Sequence, residues 1–299
     1  MCPINDESPI FMRKKLMKRK YYLQCAILLL DGLFVLNSIY GCNKNDSGVT
    51  AATPSDTLGA IPQLPGWKLV WNDEFNRAVV DTSKWEYEIN GNGGGNNELQ
   101  YYTANPSNSS IENGALVIRA QKESYQGKQY TSARMRTRYR GDWKYGRMEV
   151  RAQLPYGKGL WPAIWMLPTD YVYGGWPKSG EIDIMECLGD NTWKVYGTIH
   201  CADANGNHIQ FGGNYSLVQD SASYAGAFHV FAVEWDSTTI QWFVDNHKYY
   251  SMNRSAPFDQ RFHILLNVAV GGNWPGSPNE FTTFPQLMAV DYVRVYQRP

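Results

Sequence analysis

The sequence has no excess of charge of either sign. Lysine and arginine together number 28, aspartate and glutamate together also number 28, and the formal net charge is zero. A protein whose main partner is a nucleic acid or an anionic membrane surface needs a basic footprint. The charge balance therefore argues against both kinds of partner.

Cysteine is also scarce. Three of the five cysteines lie within residues 1–42, and the other two are Cys187 and Cys201. Neither a CxxC motif nor a Cys/His spacing typical of a metal site occurs. Folding the predicted hairpin between these two cysteines places Cys187 opposite residues 195–197 rather than opposite Cys201. We therefore expect two free, buried thiols and no disulfide.

The apolar run near the N-terminus is short for a membrane span. It covers residues 23–36 and follows a basic segment at residues 18–20, which is the arrangement of an export signal. Residues 39–42 resemble a lipobox, in which Cys42 would carry lipid. Residues 1–42 are therefore predicted to be an export segment, and the protein is expected to be either a cell-surface lipoprotein or secreted without an anchor.

A change of composition marks the next boundary. Residues 43–66 are rich in Asn, Asp, Ser, Thr, Ala and Pro, which is typical of a flexible linker. From residue 67 onwards the composition is uniform, and no internal repeat occurs. We expect residues 67–299 to form one domain and the protein to be monomeric.

This domain also lacks any long stretch with a helical period. In residues 147–154 apolar residues alternate with charged or polar ones, and residues 116–120 follow the same pattern. Such alternation predicts half-buried strands, and many short strands with regular turns predict an all-β sandwich or jelly roll. The 11 Trp and 20 Tyr residues have two interpretations, a large β core or a groove that stacks sugar rings.

Residues 180–186 (GEIDIME) concentrate the acidic chemistry. In a strand, residues i and i+2 point to the same face, so Glu181 and Asp183 are neighbours. Glu186 comes five residues after Glu181, and a regular strand would turn it to the opposite face. One β-bulge near residues 184–185 would return it to the face of the other two acids.

Three carboxyls on one face predict acid–base chemistry. Because like charges repel, at least one of the three pKa values must be raised. Retaining glycosidases use two carboxyls about 5–5.5 Å apart, one ionised as nucleophile and one protonated as acid. The alternative is an exposed acidic edge strand, but Ile182, Ile184 and Met185 indicate a buried strand, where unpaired carboxylates are costly.

The EIDIME strand resembles the active-site strand of glycoside hydrolase family 16 in its bulged, laminarinase-like form. The resemblance extends over residues 67–297, in the segments LVWNDEF (69–75), NNELQYYT (96–103), YTSAR (130–134), GKGLWPAIWMLP (157–168), VAVGGNWPG (268–276) and DYVRVY (291–296). It implies a β-sandwich jelly roll with a concave substrate groove. It also implies a retaining endo-glycosidase that cleaves internal β-1,3-glucosidic bonds of laminarin-like glucans and needs no cofactor for catalysis.

The resemblance also assigns roles to individual residues. Glu181 matches the nucleophile, Asp183 the assisting acid and Glu186 the acid/base. The candidate substrate-binding residues are Asn97, Arg136, Trp161, Trp165, Trp176, His200 and Trp274. A place in the core is the alternative for each tryptophan, a structural histidine is the alternative for His200, and a surface salt bridge is the alternative for Arg136.

Members of the family often bind one structural calcium ion far from the chemistry. The matching positions here are Glu74 and Gly114, through backbone oxygens, and Asp291, through its carboxylate. Oxygen ligands of this kind suit calcium.

Three other functions remain open from the sequence. A mixed-linkage β-1,3-1,4-glucanase shares the mechanism, although strict enzymes of that type usually have an unbulged strand with acids at i, i+2 and i+4. A sulfated-galactan hydrolase should have extra cations, which the neutral balance does not support. A non-catalytic β-glucan-binding protein would have lost the catalytic acids, and all three are present.

Overall fold

Two β-sheets lie face to face in the computed structural model, which describes residues 61–217 and 223–299. The predicted export segment, the lipid site at Cys42 and most of the predicted linker lie outside these residues. Among the described residues, no helix has the length and apolar character needed to cross a membrane.

Eighteen strands make up almost all of the regular structure in the described ranges. They are β1 (Lys68–Asp73), β2 (Glu86–Tyr87), β3 (Gln100–Tyr102), β4 (Ser109–Glu112), β5 (Ala115–Ala120), β6 (Tyr130–Ser132), β7 (Arg134–Arg136), β8 (Asp142–Trp143), β9 (Gly146–Gln153), β10 (Leu160–Pro168), β11 (Glu181–Cys187), β12 (Lys194–Ala202), β13 (His208–Ser216), β14 (His229–Trp235), β15 (Thr239–Val244), β16 (His247–Asn253), β17 (Phe262–Val270) and β18 (Gln286–Gln297). A single 3-10 turn covers Gly93–Gly95.

Each of the two large sheets has eight strands. The outer sheet has the order β16-β15-β14-β9-β18-β5-β4, with β1 also paired to β18. The groove sheet has the order β13-β12-β11-β10-β17-β7-β2, with β8 also paired to β17. Strands far apart in sequence are therefore neighbours in both sheets, as in a jelly roll. The all-β prediction is confirmed.

Strand β10 shows how the period of two divides core from groove. Ile164 and Met166 are fully buried in the core between the sheets. Trp161 and Trp165, at the alternate positions, are only partly buried and line the opposite face. Residues four apart on a strand share a face, so the sequence predicts that the two tryptophans lie together. They do, and their face is that of the groove.

The predicted bulge is present in β11. Asp183 faces Thr198 on β12. Glu186 faces Tyr196, only two residues earlier on β12, so three steps along β11 match two steps along its neighbour. The pairing with β10 also skips one residue, Ile184. The extra residue returns Glu186 to the face of Asp183, as the spacing predicts.

A tryptophan from the outer sheet supports this irregular segment. The Nε1 of Trp242, which is fully buried, donates a hydrogen bond of 2.8 Å to the backbone oxygen of Asp183. A Cβ atom on Gly197 would lie 2.3 Å from Trp242 Cδ1. Glycine opposite the bulge therefore leaves room for the indole, which satisfies a buried carbonyl.

The two cysteines behave as predicted. Cys187 faces Val195, and Cys201 faces Ile209 on the next strand. Both thiols are free and buried.

Candidate active site

Three carboxyls from β11 enter one groove, which has a volume of about 810 Å³. We call Glu181, Asp183 and Glu186 the acid triad. The bulge sets all three on the groove side, while Ile182 and Ile184 point into the core. The neighbouring strands supply further lining side chains, among them Arg134, Trp161, Trp165, Tyr196, Thr198, His200, His208 and Asn267.

Two indole groups hold the outer members of the acid triad. Trp176 Nε1 donates a hydrogen bond of 2.7 Å to Glu181 Oε2. Trp161 Nε1 donates one of 3.0 Å to Glu186 Oε1. An indole is only a donor, so each bond orients a carboxyl and leaves its second oxygen for the substrate.

Asp183 is the most buried member, with 2% of its surface exposed. Its Oδ2 has no hydrogen-bond partner, although His200 Nε2 lies 3.1 Å away. On its other side, His200 Nδ1 shares a hydrogen bond of 2.8 Å with His208 Nε2. The middle acid is therefore flanked by an imidazole pair that reaches towards the solvent.

The electrostatics favour protonated acids in the triad. Burial raises the pKa of Glu181 to about 8, and the charge of Asp183 adds to the effect. Burial also raises the pKa of Asp183 to about 7. The pKa of Glu186 is raised well above its usual range, first by burial and then by the charges of Asp183 and Glu181.

These causes separate the two outer acids. Beyond the effect of burial, the charges of both other carboxyls raise the pKa of Glu186, whereas only Asp183 adds to that of Glu181. Paired carboxyls whose environments differ are the usual basis for an acid and a nucleophile in one site. The arrangement suits a proton on Glu186 and attack by Glu181.

The four predicted groove tryptophans are all found in the groove. Trp161, Trp165, Trp176 and Trp274 all line the groove. Trp176 is 52% exposed and Trp274 is 40% exposed, so both present ring surface to solvent. The ring of Trp274 packs edge-on against Trp161 at 5.4 Å and against Tyr196 at 5.1 Å.

Two other candidate substrate-binding residues contact other side chains of the protein. Arg136 forms ion pairs with Glu86 and Glu88, which is the salt-bridge alternative, and it is not among the residues that line the groove. Asn97 Nδ2 donates a hydrogen bond of 2.9 Å to Asn273 Oδ1, which joins two loops. Asn97 does not line the groove either.

Sequence reasoning missed several groove residues, among them Arg134, His208 and Asn267. Arg134 lines the groove, and its guanidinium lies 5.3 Å from the ring centre of Trp165. His208 and Asn267 line it as well. The signal for Arg134 was available, because it stands two residues before Arg136 and shares its strand face. The signal for His208 was the alternation of polar residues along β13.

The arginines of β7 form ion pairs with glutamates from β2 and from the neighbouring loops. We call this group the arginine ladder: Glu86, Glu88, Glu98, Arg134 and Arg136. Burial acts to raise the pKa of Glu86, but hydrogen bonds from Arg136 and Arg140 and their charges outweigh it, so this pKa is lowered.

The three positions implied for calcium come together near the middle of β18. Asp73 faces Val293, which brings the following residue, Glu74, close to Asp291. Leu116 faces Val290, which brings the turn at Gly114 to the same place. Arg294 donates hydrogen bonds of 2.9 and 2.7 Å to the carboxylate of Glu74. Asp291 Oδ2 accepts a hydrogen bond of 2.6 Å from Arg151. Backbone oxygens and the second oxygen of Asp291 are left as ligands.

Known proteins resemble this chain along almost its whole length. Residues 96–294 match Glycosyl hydrolases family 16. A β-glucanase of Rhodothermus marinus is 41% identical over 308 residues, which cover 97% of this chain and 98% of the relative. A glucan endo-1,3-beta-glucosidase of Cryptopygus antarcticus is 40% identical over 252 residues, which cover 76% of this chain and 91% of the relative.

A solved structure shows the same fold. The X-ray structure of the laminarinase from Rhodothermus marinus superposes with a TM-score of 0.72 at 45% identity, covering 79% of this chain and 99% of that one. The family match includes the whole acid triad and most of the groove sheet. The chain therefore belongs to glycosyl hydrolase family 16.

Proposed function

We propose that the protein is a retaining endo-glycosidase that hydrolyses internal β-1,3-glucosidic bonds of laminarin-like β-glucans. The observation that supports this most strongly is the bulge of β11, which places Glu181 and Glu186 on one face of a tryptophan-lined groove. The names of the β-glucanase and endo-1,3-beta-glucosidase relatives point to the same substrate class.

The proposed reaction has two displacements. Ionised Glu181 attacks the anomeric carbon while Glu186 gives its proton to the leaving glycosidic oxygen, and a glycosyl ester forms on Glu181. Glu186, now a carboxylate, then takes a proton from water as that water attacks the same carbon and releases Glu181. Asp183 lies beside both glutamates and can be either protonated or ionised during the two displacements. Two carboxyls complete this chemistry, so no cofactor is needed.

The charges in the groove favour a neutral glucan. Five carboxyls line it: Glu88, Glu98, Glu181, Asp183 and Glu186. Arg134 is the only guanidinium among the described lining residues. A sulfated galactan would meet net negative charge there, and repulsion would weaken binding. A binding protein without activity would have no use for an acid triad that is costly to bury.

A mixed-linkage β-1,3-1,4-glucanase is the second candidate, because it would use the same acids. Product analysis on laminarin, lichenan and agarose, with Glu181→Gln as the inactive control, separates the possibilities. The proposal predicts short oligosaccharides from laminarin first. Faster cleavage of lichenan would favour the second candidate, and cleavage of agarose alone would contradict the proposal.

We also propose that the convergent oxygens at Glu74, Gly114 and Asp291 hold a structural calcium ion. The support is their placement near the middle of β18 and the preference of calcium for such ligands. Calcium should raise the melting temperature of protein treated with a chelator, and Asp291→Ala should remove most of that rise. An equal rise in both proteins would contradict this site.

The location of the protein is a proposal from the sequence alone. We propose an exported, monomeric enzyme anchored to the cell surface through lipid on Cys42. Cys42→Ser should then move the protein from the membrane fraction to the soluble fraction. If the unmutated protein is already soluble and cleaved elsewhere, secretion without an anchor is the correct description.

A further inference from the structure

Three side chains that commonly bind metal ions converge at the start of β11. One oxygen of Glu181, one oxygen of Asp183 and one ring nitrogen of His200 lie within 4.8 Å of one another. The strand register explains this, because Glu181 faces His200 across the β11–β12 ladder. Within residues 61–217 and 223–299, this is the one group of three or more His, Cys, Asp or Glu side chains that is so close.

The group includes a buried oxygen that the proposed hydrolysis leaves without a partner. Asp183 is 2% exposed, and its Oδ2 accepts no hydrogen bond even though His200 Nε2 lies 3.1 Å away. Buried carboxylate oxygens nearly always have a donor. A cation between these two atoms would satisfy both of them.

Two further contacts orient the candidate ligands. His200 Nδ1 is hydrogen-bonded to His208 Nε2 at 2.8 Å, which leaves Nε2 as the atom directed to the acids. Trp176 Nε1 donates a hydrogen bond of 2.7 Å to Glu181 Oε2. Metal-binding histidines and carboxylates are usually held by outer hydrogen bonds of this kind, and losing one typically costs 10- to 100-fold in affinity.

The chemistry of the three ligands selects the ion. Magnesium and calcium prefer sites made of oxygen atoms alone. One imidazole nitrogen with two carboxylates suits zinc and similar transition ions, with the fourth position open to water from the groove. We propose that Glu181, Asp183 and His200 bind a divalent transition cation, and that the bound ion reversibly blocks hydrolysis.

The block has a simple physical basis. A carboxylate that shares its electron pair with a cation cannot attack the anomeric carbon, and the ion also occupies space beside the scissile bond. Inhibition should therefore compete with substrate. The inhibitory consequence rests on the proposed function, whereas the binding of the ion does not.

The test uses calorimetric titration of the full-length protein with zinc chloride, and with magnesium chloride for comparison. We expect one zinc ion per chain that is displaced by a laminarin oligosaccharide, and no equivalent magnesium binding. His200→Gln should lower the zinc affinity by about 100-fold or more, and His208→Ala by about 10- to 100-fold. His229→Gln is the matched control, because His229 pairs with Asp245 at 2.7 Å on the outer sheet; it should not change zinc binding.

Equal zinc affinity in the His200 and His229 variants would overturn the proposal, as would equally tight magnesium binding. If His200→Gln does not fold, the nearly isosteric Glu181→Gln replaces it and must also bind zinc more weakly. Zinc binding that depends on His200 in a protein unable to cleave laminarin would keep this site and refute the proposed function. Cleavage of laminarin together with zinc binding that is independent of His200 would support the proposed function and refute this zinc site.

Discussion

Two groups of partly or fully buried acids lie in or beside the same groove, and their surroundings are opposite in charge. In the arginine ladder each glutamate has at least one guanidinium partner, and the pKa of Glu86 is lowered. In the acid triad no arginine or lysine is paired with any carboxyl within the described residues, and all three pKa values are raised. The ladder stabilises the groove wall, while the triad keeps protons and reactivity at a cost to stability.

The largest effect expected from this contrast is on turnover. Glu181→Gln should reduce the rate on laminarin by about 10³-fold or more, because the amide is nearly isosteric but cannot attack. Glu86→Gln, in the ladder, should leave the rate close to that of the wild type. Initial rates with both variants check this, and a Glu181→Gln enzyme of normal rate, without deamidation, would refute the nucleophile assignment.

The second effect separates the two outer acids. Glu186→Ala should slow cleavage of laminarin by about 10²- to 10⁴-fold, because the leaving oxygen needs a proton. An activated aryl glycoside has a leaving group that needs little protonation, so the loss on that substrate should be much smaller. Rates on the two substrates provide the measurement. Equal losses on both would count against an acid/base role for Glu186.

The third effect is on stability, and its dependence on pH has opposite signs in the two groups. The pKa of Glu181 in the folded protein, about 8, lies above its ordinary value of 4.5. Its contribution to stability is therefore fully present below pH 4.5 and is lost as the pH rises through 8. Above pH 8, Glu181→Gln should stabilise the protein by up to about 5 kcal/mol, since each pKa unit between 4.5 and about 8 corresponds to about 1.4 kcal/mol.

Glu86 provides the control for that prediction. Its lowered pKa means that its contribution is present above the ordinary carboxyl pKa and is lost as the pH falls. Glu86→Gln should therefore destabilise the protein at neutral pH and matter less in acid. Denaturant unfolding of both variants across this range is the measurement, and parallel pH curves would remove the distinction between the two groups.

The smallest effect concerns the tryptophans beside the triad. Trp161→Ala and Trp165→Ala should each weaken binding of longer laminarin oligosaccharides by about 1–2 kcal/mol, if the ring stacks on glucose. Titration calorimetry with oligosaccharides of increasing length would measure this. A variant that does not fold would show that its tryptophan belongs to the core instead.

The sequence predicted the acid triad and its bulge because both follow from one count. A separation of five positions would place Glu181 and Glu186 on opposite faces of a regular strand. Because the intervening isoleucines are buried, a single extra residue is the simplest way to return Glu186 to the face of the other acids. The period of two also placed Trp161 and Trp165 correctly on one face. Local spacing was sufficient in both cases.

The contacts that the sequence did not reveal depend on distant partners. Arg136 is held by Glu86 on β2, a strand of only two residues with no recognisable pattern, and by Glu88 just after it. His208 reaches His200 through the register of an edge strand. Trp242 supports the bulge from the opposite sheet. Contacts of this kind depend on how the sheets assemble, which one strand cannot reveal.

The most direct test of the account is the stereochemistry of the first product. If the bulge brings Glu181 and Glu186 together as proposed, no water fits between the acid and the sugar, and the reaction must pass through a glycosyl ester on Glu181. Two inversions then give net retention. Proton NMR of a fresh laminarin hydrolysate, recorded before mutarotation, should show the β-anomer first. Initial release of the α-anomer would mean well-separated acids and would contradict the roles assigned to both glutamates.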